Sequence, residues 1–292
     1  MQFLRTIAAV SLTLLLGACA TPLRVALTPE QRAKITDVSA HVVVTQDEVR
    51  AAVQPSNVAA FTGGGLIGAA IDSQITNQRM KTAQTMMGPF YAAIEDLDFR
   101  TEFNDTMRRE LTGYPLKVSN IVTTPRSIDV ATLKVLRSKL TPGQALLIIK
   151  PRYTLTMDFR SLDVETLVTL WVKDGPDLEP VQRSALHYQS QAIGPGGKPS
   201  IDLWSANNAA LFRSAVRDAI AETIRLTIVD NGAPPAVVAQ PSDLKTYAFN
   251  TGGQIGRIQG QQLSETATRA VILGADQKTY SLPKAQPAPT AQ

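Results

Sequence analysis

Cysteine and histidine are nearly missing from this chain of 292 residues, which has one cysteine, Cys19, and two histidines, His41 and His187. A lone cysteine makes no disulfide within the chain, so stability must come from packing. A zinc cage built from His and Cys needs more such ligands than the chain has, and neither histidine stands in an H-E-x-x-H arrangement. Aromatic residues make up only 5%, and the Lys and Arg residues behind the net charge of +4 are scattered rather than clustered. That argues against a nucleic-acid-binding stripe. Beyond the first twenty residues no apolar run is long enough for a membrane-spanning helix. No G-x-S-x-G elbow occurs; Ser281-Leu-Pro-Lys284 spells S-x-x-K, but it adjoins a Pro-rich tail without the rest of a serine-hydrolase set.

What is present begins with MQFLRTIAAVSLTLLLGACA. Arg5 supplies a positive n-region and residues 6–16 an apolar h-region, as in a secretory signal. The h-region ends in Leu16-Gly17-Ala18-Cys19, which resembles the lipobox of bacterial lipoproteins. The resemblance implies that residues 1–18 are removed and that Cys19 carries a diacylglyceryl thioether and an acylated amine. Several buried acyl chains hold a protein far more firmly than one, at about 0.8 kcal/mol per methylene. Ala20 stands where an aspartate would retain some lipoproteins in the inner membrane. The implied location is therefore the outer membrane, lipid-anchored and facing the periplasm.

Residues 19–36 are expected to form a tether, 37–230 an α+β periplasmic domain, 231–243 a linker, 244–283 a small β element and 284–292 a disordered tail. Within the domain, Ala40–Val44 reads as a strand. Residues 66–111 read as helix, with Phe90, Ile94 and Leu97 on one face and Phe103, Met107 and Leu111 on another, broken at Gly88-Pro89. Residues 116–122 read as a short strand, and 128–140 as a helix capped by Ser127. The continuous apolar run Ala145–Ile149 predicts a strand buried on both faces. Alternation then runs through Tyr153, Leu155, Met157 and Phe159, and again through 162–172. Residues 183–193 form a further strand. After the loop Gly194–Pro199, Asp202 caps a long amphipathic helix with Leu211, Phe212, Ala215, Val216 and Ile220 on its apolar stripe; Arg213, Asp218, Glu222 and Arg225 take the other side. Residues 253–282 alternate weakly, with turns at Ser264-Glu265 and Ala275-Asp276.

This order predicts one mostly antiparallel sheet covered by helices, with a small C-terminal β-hairpin or meander. Over residues 40–230, the Ala145–Lys150 strand entering a meander and the Trp204-led helix resemble the periplasmic lipoprotein domains of the curli secretion channel and the penicillin-binding-protein activators, which share a fold with the N-terminal domain of TolB. The glycine segment and the helix through Ala92–Phe99 resemble a set of uncharacterised proteobacterial lipoproteins.

The glycine segment is FTGGGLIGAAID, residues 61–72. Gly63, Gly65 and Gly68 spell G-x-G-x-x-G, yet Val58-Ala-Ala-Phe61 is a poor strand to precede a dinucleotide turn. No cofactor is expected. Gly64 and Gly68 also spell GxxxG, so Gly63, Gly64, Gly65, Leu66, Ile67 and Gly68 are candidates for a partner, membrane or intramolecular contact. The histidines read as strand residues with structural roles. Glu95, Asp96, Asp98, Glu102 and Asp105, interleaved with arginines, read as a solvated helix face. Asp158, Asp163 and Glu165 would serve a hydrolase only if paired in one cleft. The expected role is non-enzymatic: a scaffold or regulator in an envelope assembly or secretion complex, working through envelope proteins or further copies of the chain. The alternatives are a binding module for peptidoglycan, lipid or a small envelope ligand, and a hydrolase.

Overall fold

The structure, a computed structural model, describes residues 23–46, 49–53, 66–173, 175–176, 179–232, 244–250 and 254–284. Cys19 and Gly63, Gly64 and Gly65 lie outside them. Leu66, Ile67 and Gly68 open a helix, but their side chains are outside the description as well.

The chain is α+β, built on one ten-stranded sheet. In chain order the elements are α1 (Pro29–Ala33), β1 (Asp37–Val43), β2 (Arg50–Ala51), α2 (Leu66–Met86), α3 (Gly88–Ala93), α4 (Phe99–Glu110), β3 (Val118–Thr124), α5 (Val130–Ser138), β4 (Gln144–Leu155), β5 (Leu162–Val172), β6 (Gln182–Gln189), α6 (Lys198–Gly232), β7 (Lys245–Asn250), β8 (Ile255–Glu265), β9 (Arg269–Gly274) and β10 (Lys278–Pro283). The strand order is β3-β1-β4-β5-β6-β10-β9-β8-β7, with β2 pairing the far end of β4.

The sheet is mixed rather than mostly antiparallel. β1 pairs in parallel with both β3 and β4, β2 with β4, and β10 with β6; the remaining pairs are antiparallel. The reason is connectivity. The helices between β1 and β3, and α5 between β3 and β4, are long enough to return the chain to the same end of the sheet, as parallel neighbours require. The C-terminal meander does not stand apart: β10 joins β6 and continues the sheet.

The run Ala145–Ile149 is buried on both faces, as the sequence predicts. Ala145, Leu147 and Ile149 join the main core beneath α3, α4 and α6, with Phe90, Phe103, Trp204 and Phe212. Leu146 and Ile148 join the smaller core under α5, with Val43, Leu140 and Trp171. Phe90 meets Phe212 edge-on at 4.7 Å between ring centroids, a geometry that aromatic quadrupoles favour. The helical faces Phe90, Ile94 and Phe103, Met107, Leu111 are buried as their spacing predicts.

Several boundaries move, each for a local reason. Asp129, not Ser127, caps α5, its carboxylate accepting from the Thr132 N–H at 2.7 Å. Met157 and Phe159 do not extend β4; they sit in the β4–β5 turn, where Phe159 takes φ 60° and Asp158 accepts from the Thr156 hydroxyl (2.7 Å) and the Arg160 N–H (3.1 Å). Strand β6 stops at Gln189, short of residue 193. Asp202 does not cap α6, which starts at Lys198 with Pro199 in its first turn; a proline there forfeits a donor that has no helical partner anyway. Strand β8 carries through Ser264-Glu265, and the chain turns at residues 266–268, while the turn at Ala275-Asp276 stands as predicted. α6 is also interrupted: Asn207, Asn208 and Ala209 have left-handed φ of 52°, 55° and 54°. Asn tolerates that region better than most residues.

Candidate functional site

Residues 24–36, part of the segment 19–36 expected as a tether, are fastened onto the domain. Val25 pairs with Arg183 at the start of β6, through N–H to carbonyl bonds of 2.8 and 2.9 Å. Thr28 and Gln31 close a reciprocal capping box on α1, satisfying donors that a short helix otherwise leaves open. The Thr36 N–H donates to the Gly143 carbonyl at 2.8 Å.

The strongest fastening is Arg24. Its Nε donates to Asp230 Oδ1 at 3.0 Å, and the two side chains are 2% and 3% exposed. Asp230 ends α6 and also accepts from the hydroxyls of Ser184 on β6 and Thr279 on β10 (Thr279 at 2.8 Å). One buried carboxylate thus ties the N-terminal segment, the last turn of the long helix and two strands. Beside it Arg32 donates to the Asn231 carbonyl, and Asn231 Nδ2 donates to the Tyr114 hydroxyl at 2.6 Å. Burial pushes the Tyr114 phenol up to about 12, so it stays neutral.

A groove of about 740 Å³ runs along the flank of α6, toward the β8–β9 turn. Its apolar wall includes Leu211, Ala215 and Ile228 from α6 and Ile193 from the loop after β6. Leu211 is 51% exposed, so it leaves the core stripe assigned to it and presents its side chain to the groove. Glu222 makes the opposite move. Expected on the solvent side, its carboxylate is 11% exposed and receives both Arg225 Nε (2.7 Å) and Nη2 (2.6 Å), together with the Ser281 hydroxyl. Burial alone would raise its pKa; the hydrogen bonds from Arg225 and Ser281 and the nearby arginine charges hold it below the usual value instead. Arg269 lies 3.8 Å from Glu222, donates to Ser281 Oγ at 2.8 Å and stacks over the Tyr188 ring at 4.3 Å. Glu222 thus sits between two arginines at the groove floor, while Glu110 and Asp218 lie exposed along its lining beside the apolar wall.

On the other sheet face, His187 lies buried between the rings of Phe249 and Tyr280. Its Nε2 has no hydrogen-bond partner and stands 3.9 Å from Asp163 Oδ1. Burial pushes His187 down to about 4. Asp163 is pushed up to about 7, first by burial and further by the charges of Glu165 and Asp158, against a 2.9 Å hydrogen bond from Gln189. Gln189 also exchanges bonds with the Asn250 backbone at 2.7 and 2.9 Å, which closes β7 over this layer. His41, on β1, is half-buried and its pKa is lowered by burial.

The acidic residues singled out from the sequence have separate partners. Asp158 accepts from Asn250 Nδ2 at 3.2 Å, Asp163 from Gln189, and Glu165 faces Lys278 Nζ at 3.7 Å. Asp98 caps α4, accepting from the Arg100 N–H (2.9 Å) and the Thr101 hydroxyl (2.8 Å). Asp96 pairs with Arg213 of α6, whose hydrogen bond lowers the carboxyl pKa. These two acids are therefore a cap and a contact from the turn after α3 to α6, rather than members of an i,i+4 ladder on one helix. Ser281 and Lys284 do not meet as a catalytic couple: Ser281 serves Glu222, and Lys284 pairs with Glu265. Among the described residues, no group of three or more His, Cys, Asp or Glu could hold a metal ion, and no helix is long and apolar enough to cross a membrane.

Sequence reasoning missed the Arg24–Asp230 pair and the Glu222–Arg225–Arg269 cluster. The Glu222/Arg225 spacing of three was a visible helical signal; Arg24 and Arg269 reach their partners only through the tertiary fold. No known protein family, curated protein or solved structure matches the chain.

Proposed function

We propose that the protein is lipidated at Cys19, sits on the periplasmic face of the outer membrane, and acts there without catalysis as a scaffold or regulator in an envelope assembly or secretion complex. The observation that carries the anchoring half is the placement of Leu16-Gly17-Ala18-Cys19 directly behind an apolar h-region, five positions before the buried Arg24. A lipid there would be coupled to the fold rather than to a loose leader. The scaffolding half is supported by the α6 groove. Glu222 on its floor is already held by Arg225 and Arg269, and Leu211 offers apolar surface that a partner segment would bury.

The test is photo-crosslinking in intact cells from benzoylphenylalanine placed at position 211, with position 130 as control; Val130 is 57% exposed on α5, away from the groove. The reading expects a discrete protein adduct from 211 that 130 does not give. Identical adducts from both positions would overturn it. The second reading, a binding module for peptidoglycan, lipid or a small ligand, rests on the groove volume, which lies in the range of ligand pockets. It would be supported by adducts to non-protein material from 211 alone.

A further inference from the structure

We infer that one end of the domain is built to face the bilayer: the end that gathers Leu23, Arg24, α1, the starts of β1, β3, β4 and β6, and the last turn of α6. The inference rests on lipidation of Cys19 and adds an orientation to it.

Chain length carries the argument. Arg24 is fixed inside the domain by Asp230, Ser184 and Thr279, and Val25 by Arg183. Only five residue steps separate Cys19 from Arg24, and five extended residues reach at most about 18 Å. Had the whole of 19–36 been free, the leash would have been roughly three times longer and would have set no orientation. The domain itself is longer than the leash it has. Strand β4 has 12 residues, about 40 Å at the usual rise, and the loop Gly194–Lys198 and the β4–β5 turn lie at the opposite end from Arg24. The Arg24 end therefore stays near the headgroups in every posture, whereas the far end approaches them only if the domain lies on its side.

The surface of that end agrees. Leu23, beside the buried Arg24, is 43% exposed and is positioned to meet the interface. Lys34, Lys117, Lys139 and Lys173 are exposed around this end, with Glu30, Asp37, Glu179 and Asp276 among the described acids there. Both signs are present there, with Arg32 of α1 and Arg183 of β6 adding to the bases, and the lipid anchor rather than this mixed surface sets the orientation. The α6 groove rises from this end, with Ile228 at the membrane side and Trp204 at the far side. With the domain upright, a partner seated in it would run along the membrane normal.

The test uses the full lipidated protein in vesicles of phosphatidylethanolamine and phosphatidylglycerol. Lys173→Cys and Lys198→Cys each provide a single free thiol for a fluorophore, since Cys19 is acylated. Headgroup spin-labelled lipid should quench the label at 173 several-fold more than the label at 198, with little dependence on salt. Equal quenching, or stronger quenching at 198, would overturn the orientation. Inserting about twenty Gly and Ser residues after Thr21, a coil of roughly 25 Å r.m.s., leaves the folded residues untouched and should erase the difference; a difference that persists would show that the short leash does not cause it. The mass of the N-terminal peptide separates the two statements. A peptide without lipid mass removes the anchoring reading and the orientation with it, whereas lipidated protein with equal quenching overturns the orientation alone.

Discussion

Arg24 donates to Asp230 across 206 positions of chain, at 3.0 Å and out of contact with solvent. Breaking a buried ion pair by deleting one partner leaves the other charge stranded, at about 3–5 kcal/mol. Asp230→Ala takes from Arg24 its carboxylate and also removes the acceptor for Ser184 and Thr279, so it should be the costlier change; Arg24→Ala leaves Asp230 two hydroxyl donors. Urea denaturation of both single variants and the double variant checks this. The double variant is expected to lose less than the sum of the singles, and strict additivity would deny the coupling.

The pH dependence of stability should reveal two opposed groups. His187 is held near pKa 4, from an ordinary 6.5, so unfolding takes up a proton between those values. Its contribution is complete above pH 6.5 and is lost as pH falls toward 4. Asp163 is held near 7, from an ordinary 3.8, so unfolding releases a proton in that window. Its contribution is present at low pH and is lost as pH rises through 7. From pH 4 to 6.5 the two slopes oppose. Relative to the wild type, Asp163→Asn should make stability climb more steeply with pH across that range, and His187→Gln should make it fall. Urea midpoints measured from pH 4.5 to 7.5 would contradict the assignment if either variant kept the wild-type slope.

Gly260 lies on β8 where an added Cβ would meet Ile272 Cγ2 and the Leu273 carbonyl oxygen, each at 2.5 Å. A backbone atom cannot step aside as a flexible side chain can. Gly260→Ala should therefore cost about 1–3 kcal/mol, seen as a lower thermal midpoint. Gly88→Ala, with nothing within 4 Å of the new methyl, should be nearly neutral and serves as the control.

The interruption of α6 makes a separate claim. Asn208 is exposed and has φ 55°. Asn and Val have similar helix propensities, so in a continuous helix Asn208→Val would change little. In the left-handed conformation a β-branched residue clashes with its own backbone, and the variant should lose about 1–2 kcal/mol. A neutral result in thermal unfolding would argue for an unbroken helix.

The sheet core was legible because burial on two faces leaves an unbroken apolar run. Ala145–Ile149 reads as a central strand without any knowledge of its neighbours, and so does the alternation of 162–172. The parallel pairings of β1 were not legible, since strand order is decided by how long crossovers pack and not by strand composition. The overrun into Met157 and Phe159 has a local cause: a turn closed by Asp158 continues the same alternation that marks a strand. In α6 the helical pattern named the right residues but the wrong solvent boundary. Leu211 lies two positions past the last left-handed residue, Ala209, and Glu222 is covered by Ser281 and Arg269 from strands with no sequence neighbourhood to it. The candidate site was accordingly the least readable part. Its charges come from α6 and β9 and its hydroxyl from β10, and the fastening of the N-terminal segment depends on Asp230, at the opposite end of the domain sequence.

The most direct measurement is the intact mass of the mature protein recovered from the membrane fraction, compared with Cys19→Ser. The account predicts a wild-type protein lacking residues 1–18 and carrying diacylglyceryl and N-acyl mass on the peptide that begins at Cys19, and a Cys19→Ser protein that retains its leader and gains no lipid. A wild-type chain cleaved elsewhere without lipid, or a Cys19→Ser chain of mature length and lipidated, would contradict it.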